Sequence, residues 1–232
     1  VPRFGRIDWQ RAASQLDERG YALLPGLLSA RECASLAKLW DRRELFRKHV
    51  DLARHRFGLG AYRYLAYPLP PPVRELRQRL YPPLARLANG WLEALGREER
   101  FPTSLRRFVA HCHAHGQKRP TPLLLRYEAE GYNCLHQDLY GAVAFPLQIT
   151  CLLSDPRREF TGGEFVLVEQ RPRQQSRAEA IALRRGEAIV FPTRERPVRG
   201  QRGFYRTQTR HGVSRIRSGE RLTLGLIFHD AR

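Results

Sequence analysis

Methionine is absent from the 232 residues, and lysine occurs only at Lys38, Lys48 and Lys118. A chain that opens on Val1 and holds no methionine is expected to lack its native start, so a targeting signal ahead of it would lie outside the sequence. The opening VPRFGRIDWQ lacks the basic-then-apolar order of a secretory leader. No apolar run approaches the length needed to cross a bilayer, which argues against a membrane-spanning helix. Cysteine is sparse. Cys33, Cys112, Cys134 and Cys151 form no Cys-x-x-Cys pair, which argues against a zinc knuckle, and their spacing does not suggest a disulfide scaffold. Reduced thiols and a cytoplasmic location are the expectation. Repeats and low-complexity tracts are also missing, which excludes solenoids and long disordered tails.

What the chain does have is enough apolar material for a core. Hydrophobic residues make up 42% of the sequence, consistent with one folded domain. Acidic residues are few. Asp and Glu total 23 against 41 Lys and Arg, for a net charge of +18. Nearly all the excess is arginine, whose planar fork suits phosphate and carboxylate. The excess fits a polyanionic partner such as nucleic acid. The arginine-rich coding of a GC-rich genome accounts for it equally well.

Organisation changes near residue 105. Residues 1–105 read as a helical support region. Ser29 is placed to cap a helix whose stripe is Cys33, Leu36, Ala37, Leu39 and Trp40. Two further helices are expected from Pro72 to Leu80 and from Pro82 to Leu95, with Gly96 ending the second. The prolines of YLAYPLPPP (64–72) suggest an extended segment. Residues 106–232 read as the catalytic core. Strands are expected at 121–127, 146–154, 163–170, 178–183, 186–191, 203–210 and 221–228, separated by turns such as Gly162-Gly163 and Ser218-Gly219. Many short strands after a helical lobe give an α+β fold with a sandwich or jelly-roll core.

The chemistry is concentrated in that second part. In LHQDL, His136 and Asp138 are two apart, so on a strand their side chains share a side. His211 follows a predicted strand and is placed to be a third ligand. Two histidines and a carboxylate are the facial set of non-haem iron(II) oxygenases, with positions left open for substrate and oxygen. Arg221 opens the next strand, where an inward guanidinium would bind a carboxylate bidentately.

The series His136-x-Asp138, Gly162-Gly163-Glu164, Gly186 to Phe191, His211 and Arg221 resembles the iron(II)/2-oxoglutarate-dependent dioxygenase superfamily across residues 121–229. The blocks YNCLHQDLYG, FTGGEFVLVEQRPRQQSR and RHGVSRIRSGERLTLGLIFHDA resemble more closely its bacterial branch described as oxygenases acting on damaged, alkylated DNA. That resemblance implies a double-stranded β-helix with iron at its mouth. It implies Fe(II) on His136, Asp138 and His211, and 2-oxoglutarate chelated to the metal and clamped by Arg221. O2 would be the oxidant. Tyr127 would hydrogen-bond the cosubstrate, or simply be a core tyrosine. The expected reaction is oxidative demethylation or hydroxylation of alkylated bases. The alternative is a prolyl-type protein hydroxylase or small-molecule hydroxylase of the same superfamily.

Other residues have two readings each. Gln148 and Thr150 share a strand face and either line a pocket or pack. Asn133 binds substrate or makes a turn. Tyr140 is a candidate for stacking on a base, or a core residue. Arg171, Arg173 and Arg177 in QRPRQQSR are placed to track a phosphate backbone, or form a solvated face, and Arg194 to Arg206 add a second basic stretch. His111, His113 and His115 alternate as though on one strand face, a row poorly shaped for a metal, and a loop is the alternative. His229-Asp230 also mimics a ligand pair. His211 is preferred because a strand bearing an arginine follows it.

Overall fold

The structure is a computed structural model that describes residues 7–232. The expectation about the start of the chain falls partly on residues 1–6, outside that range. Helix α1 (Trp9–Arg19) begins where Asp8 Oδ1 accepts the Arg11 N–H at 2.9 Å and ends on left-handed Gly20. Strand β1 (Ala22–Leu24) follows. Helix α2 (Ala30–Ala37) starts with the expected Ser29 cap, reciprocated by Glu32 in a capping box. Three strands come next: β2 (Phe46–Asp51), β3 (Gly58–Leu59) and β4 (Ala61–Leu65).

Helix α3 (Pro71–Ala94) runs unbroken through Pro82 and Pro83, where two helices were expected. Each proline removes a helical hydrogen bond. The continuous buried face of Leu80, Tyr81, Leu84, Ala85 and Ala88 outweighs that loss. Helix α4 (Leu105–Ala114) corrects the reading of the histidine row. Phe108 and Cys112, four apart and both buried, set a helical period there. His111 and His115 then lie on one exposed face with ring centroids 4.4 Å apart, while His113 turns inward.

The strands β5 (Leu123–Tyr127), β6 (Tyr132–His136), β7 (Leu147–Leu152), β8 (Phe160–Gly162), β9 (Phe165–Gln170), β10 (Arg177–Ile181) and β11 (Ala188–Pro192) build the second part. They are completed by β12 (Glu195–Gly200), β13 (Gly203–Val213), β14 (Ile216–Gly219) and β15 (Arg221–Leu226). The major sheet has the order β1-β11-β7-β15-β5-β4-β2, and the minor sheet β10-β9-β13-β6-β3 with β12 on β13. All pairings between these strands are antiparallel, giving the jelly-roll architecture expected. β12 was not anticipated because Pro197 argues against a strand. It pairs only with β13, and an edge tolerates a missing N–H.

The first 105 residues are less helical than expected. β1, β2 and β4 extend the major sheet and β3 extends the minor one. The short alternation in AYRYL was the available signal. One core, containing Leu76, Leu80, Tyr81, Phe108 and Phe145, lies under the helices. A second, containing Tyr127, Phe165, Leu167, Phe191 and Ile216, lies between the sheets.

Asp230 ties the chain end to this framework. Its buried carboxylate accepts from Arg77 Nη2 at 2.8 Å and from Tyr67 Oη at 2.9 Å, and meets His113 Nε2 at 2.9 Å. Gln117, fully buried, donates to the Asp230 carbonyl at 2.6 Å. His229 is also buried, with Nδ1 accepting the Phe145 N–H at 3.1 Å. The His229-Asp230 pair is therefore absorbed in packing. Replacing Arg77 by Met leaves the Asp230 charge dry and short of a partner, and is expected to cost about 3–5 kcal/mol. Urea denaturation measures it; a loss below about 1 kcal/mol would mean that this cluster contributes little.

Candidate metal and cosubstrate site

The two sheets face each other across a cavity of about 460 Å³. Its floor is one face of the major sheet. Alternation along β15 turns Arg221, Thr223 and Gly225 toward it, while β5 supplies Leu123, Leu125 and Tyr127, and β7 supplies Gln148 and Thr150. The minor sheet supplies His136 from the end of β6 and His211 from within β13.

His136 and His211 are direct cross-strand partners in the β6–β13 ladder, with ring centroids 4.2 Å apart. Asp138, two residues past His136, brings Oδ2 to 3.2 Å from His211 Nε2 and Oδ1 to 3.7 Å from His136 Nε2. One ligand atom from each of the three lies within 4.8 Å of the others, close enough to reach one ion. The His136 ring is oriented by Nδ1, which lies 2.8 Å from the Cys134 carbonyl and leaves Nε2 facing the cluster. Phe165 stacks on the His211 ring from behind, with centroids 5.8 Å apart.

The electrostatics favour a charged Asp138 carboxylate and a neutral His211 ring. Burial by itself raises the Asp138 pKa. The hydrogen bond and charge of His211, the charge of His136 and a bond from Tyr140 outweigh it and hold the carboxyl well below its ordinary range. Burial, then the nearby His136, lowers the pKa of His211. A neutral ring keeps a lone pair for a metal. Two imidazoles and one carboxylate are a donor set that fits iron(II).

Tyr140 lines the cavity and is hydrogen-bonded on both sides of its hydroxyl. Its Oη donates to Asp138 Oδ1 at 2.5 Å and accepts from Tyr64 Oη at 2.9 Å. Tyr64 in turn lies under the Arg47 guanidinium, 4.5 Å from its ring centroid. Tyr62 and Tyr64 of β4 line the cavity and were missed in the sequence. Their two-residue spacing was the signal, hidden in a region read as helical.

Arg221 is fully buried, and its Nε and Nη1 have no hydrogen-bond partner among the described residues. Burial lowers its pKa to about 10 despite the nearby Tyr127 and Glu164. Its guanidinium lies 5.9 Å from the Tyr127 ring centroid. The Gly162-Gly163 turn makes room for it. A Cβ on Gly163, where φ is +66°, would fall 2.8 Å from Arg221 Cδ and 2.3 Å from Ile216 Cδ1. Gln148, also buried, leaves Nε2 unpaired. Unmet donors converging in one cavity suit a small carboxylate such as 2-oxoglutarate. Tyr127 is fully buried, and its pKa is pushed up to about 12 by that burial; its Oη accepts from Asn133 Nδ2 at 3.2 Å. Asn133 thus belongs to the cavity wall.

The arginine loop lies elsewhere. Arg171 and Arg177 line a separate hollow, where they pair with Glu169 and Glu179. Arg173 is exposed at the loop tip. In the second basic stretch, Arg196 is fully buried, bound to Glu169 at 2.7 Å, and so is no part of a basic surface.

Comparison with known proteins agrees with this geometry. An oxidoreductase of the 2OG-Fe(II) oxygenase family from Burkholderia pseudomallei superposes with a TM-score of 0.58 at 19% identity, covering 97% of this chain and 94% of the other. The non-heme alpha-ketoglutarate-dependent epimerase SnoN of nogalamycin biosynthesis superposes with a TM-score of 0.55 at 18% identity, covering 94% and 80%. At those identities the likeness is one of fold. An uncharacterized protein of Mycobacterium tuberculosis is 52% identical over 181 residues, which are 76% of this chain and 78% of the relative. Residues 60–231 match the family described as "Oxygenase, catalysing oxidative methylation of damaged DNA". That match spans most of the sequence and both sheets' share of the cavity, and the chain belongs to this oxygenase family.

Proposed function

We propose that the protein is an iron(II)- and 2-oxoglutarate-dependent dioxygenase that oxidises alkylated bases of nucleic acid. The observation that carries the chemistry is the cavity itself, where the His136, Asp138 and His211 cluster shares one space with the unpaired donors of Arg221. The family's description supports the substrate class, and the net charge of +18 agrees with a polyanionic partner.

In this reading His136, Asp138 and His211 hold Fe(II), and three protein ligands leave positions for cosubstrate and O2. With these bound, the centre supplies an oxidant able to hydroxylate a C–H bond while 2-oxoglutarate is converted to succinate and carbon dioxide. Arg221 anchors the distal carboxylate from the cavity floor. Tyr127 and Gln148 present polar groups beside it. Tyr140 keeps Asp138 oriented. The apolar wall of Leu123, Leu125 and Ile227 excludes water from the reacting end. Hydroxylation of an N-methyl group gives a hydroxymethyl product that releases formaldehyde and restores the base.

Formaldehyde release from N-methylated single-stranded oligonucleotides, dependent on Fe(II) and 2-oxoglutarate, is the decisive assay. His136→Ala is expected to yield no succinate; turnover that survives it would remove the metal assignment. Arg221→Met is expected to raise the KM for 2-oxoglutarate by roughly 10–150-fold, the loss of one or two charged hydrogen bonds, with a smaller change in kcat. An unchanged KM would place the anchor on another residue. Tyr140→Phe deletes the bond to Asp138 and is expected to weaken Mn(II) binding, followed by titration, by about 10–100-fold. Equal Mn(II) affinity in the two proteins would make that bond incidental.

A further inference from the structure

Large hydrophobic side chains exposed on this protein are unevenly placed. Of the six among the described residues, Phe57, Leu59, Leu135 and Leu139 belong to β3, β6 and the segments that continue them. Phe57 and Leu135 line the cavity mouth beside His136, and Leu139 directly follows Asp138, another lining residue. The segment before β3 is rigid. Asp51 Oδ1 accepts the Ala53 N–H at 2.9 Å, the Leu52 carbonyl accepts from His55 and Phe57, and the Phe57 carbonyl accepts the Cys134 N–H at 2.8 Å. The last of these bonds ties the segment to the strand that carries His136.

Two further features point outward from this turn. His55 and Phe57 stack with centroids 5.4 Å apart and planes 22° from parallel, although each is exposed to solvent. Between them Arg56 takes φ +58°, a left-handed conformation that costs a non-glycine residue of order 1 kcal/mol. The consequence is that Arg56 lines the cavity mouth together with Phe57 and Leu135. No ion pair to a carboxylate is formed by Arg56 among the described residues. A flat aromatic surface next to an unpaired guanidinium is the combination that binds single-stranded nucleic acid, bases on the ring and phosphate on the charge. A small apolar substrate gives no use to the cation at that position.

We infer that the His55–Arg56–Phe57 turn, with Leu135 and Leu139, is a docking lip for an unpaired nucleic-acid strand, an inference that rests on the nucleic-acid reading above. Phe57 stacks on the base next to the one that enters the cavity. Arg56 meets the phosphate between them. Leu135 and Leu139 cover the other edge of the entering base. The lip holds the neighbouring nucleotide still while the target base projects toward His136, so register along the strand is set outside the cavity.

The test is binding by the full chain loaded with Mn(II) and 2-oxoglutarate to a short fluorescein-labelled single strand bearing one N-methylated base, followed by anisotropy across a salt series. Phe57→Ala is expected to weaken binding by about tenfold at every salt concentration, because stacking is not screened. Arg56→Asn suits the left-handed backbone and is expected to reduce the slope of log affinity against log salt by about 0.7, one phosphate contact on a single strand. Both side chains are exposed, and thermal melts of the variants alongside the unaltered protein register any folding defect. Leu135→Ala, expected to weaken binding several-fold, provides a second reading of the stacking surface should Phe57→Ala melt early. If the unaltered protein binds the strand and all three variants match it in affinity and slope, the lip is overturned and the nucleic-acid reading stands. If the unaltered protein itself binds no strand, the nucleic-acid reading falls and the lip with it.

Discussion

The β6–β13 register is the constraint on which the site depends. His136 and His211 are 75 positions apart in the chain's numbering yet sit directly opposite in one ladder. A slip of one residue would turn one imidazole to the outside of the sheet, since strand side chains alternate. The register is held on both sides of β13. β9 pairs through Leu167 opposite His211, and its buried residues Phe165 and Leu167 make the wrong register costly. Beyond the ladder, the His136–Asp138 pair depends on β6 ending where it does. Gln137 helps here by donating to the Thr209 carbonyl at 2.8 Å, fastening the segment after β6 back onto β13.

The second support comes from the part of the chain remote from the ligands in sequence. β4 places Tyr64 under Arg47 and against Tyr140, so the N-terminal region reaches the Asp138 carboxylate through two hydroxyls. The Asp230 cluster performs a similar service for the framework. It joins α3, α4 and the end of the chain around one buried charge, with His113 and Tyr67 completing it. The candidate metal ligands on the minor sheet and Arg221 on the major sheet are thereby kept at fixed separation. Preorganisation of this kind costs stability in ordinary packing terms and returns it as oriented donors.

The sequence carried much of this. His136, Asp138, His211 and Arg221 were readable because strand alternation and an arginine at a strand start are local patterns. So was the choice of His211 over His229, whose environment is a packed interior. What could not be read depended on long-range contact. Tyr140 looks like any tyrosine near a loop; only the approach of β4 reveals that its hydroxyl is committed to Asp138. The histidine row misled because alternation in AHCHAHG imitates a strand, while the deciding residues, Phe108 and Cys112, fix a helix through burial. Pro82 and Pro83 misled in the opposite direction, since a strong apolar face carried the helix through them. Arg196 contributes to the net charge but not to the surface, because it is buried against Glu169, and charge balance alone does not distinguish the two situations.

The state of Arg221 has a consequence for the protein's life outside catalysis. Two buried guanidinium nitrogens without an acceptor among the described residues are a place where an acidic ligand would add charged hydrogen bonds to the folded state. In the proposed reading, folding and cosubstrate binding would be linked equilibria. At a free ligand level of 100 times its dissociation constant, the folded state gains about 2.7 kcal/mol over the unfolded one. An acidic ligand that reached Arg221 in the folded state alone would therefore act as a brace for the fold as well as an occupant of the cavity.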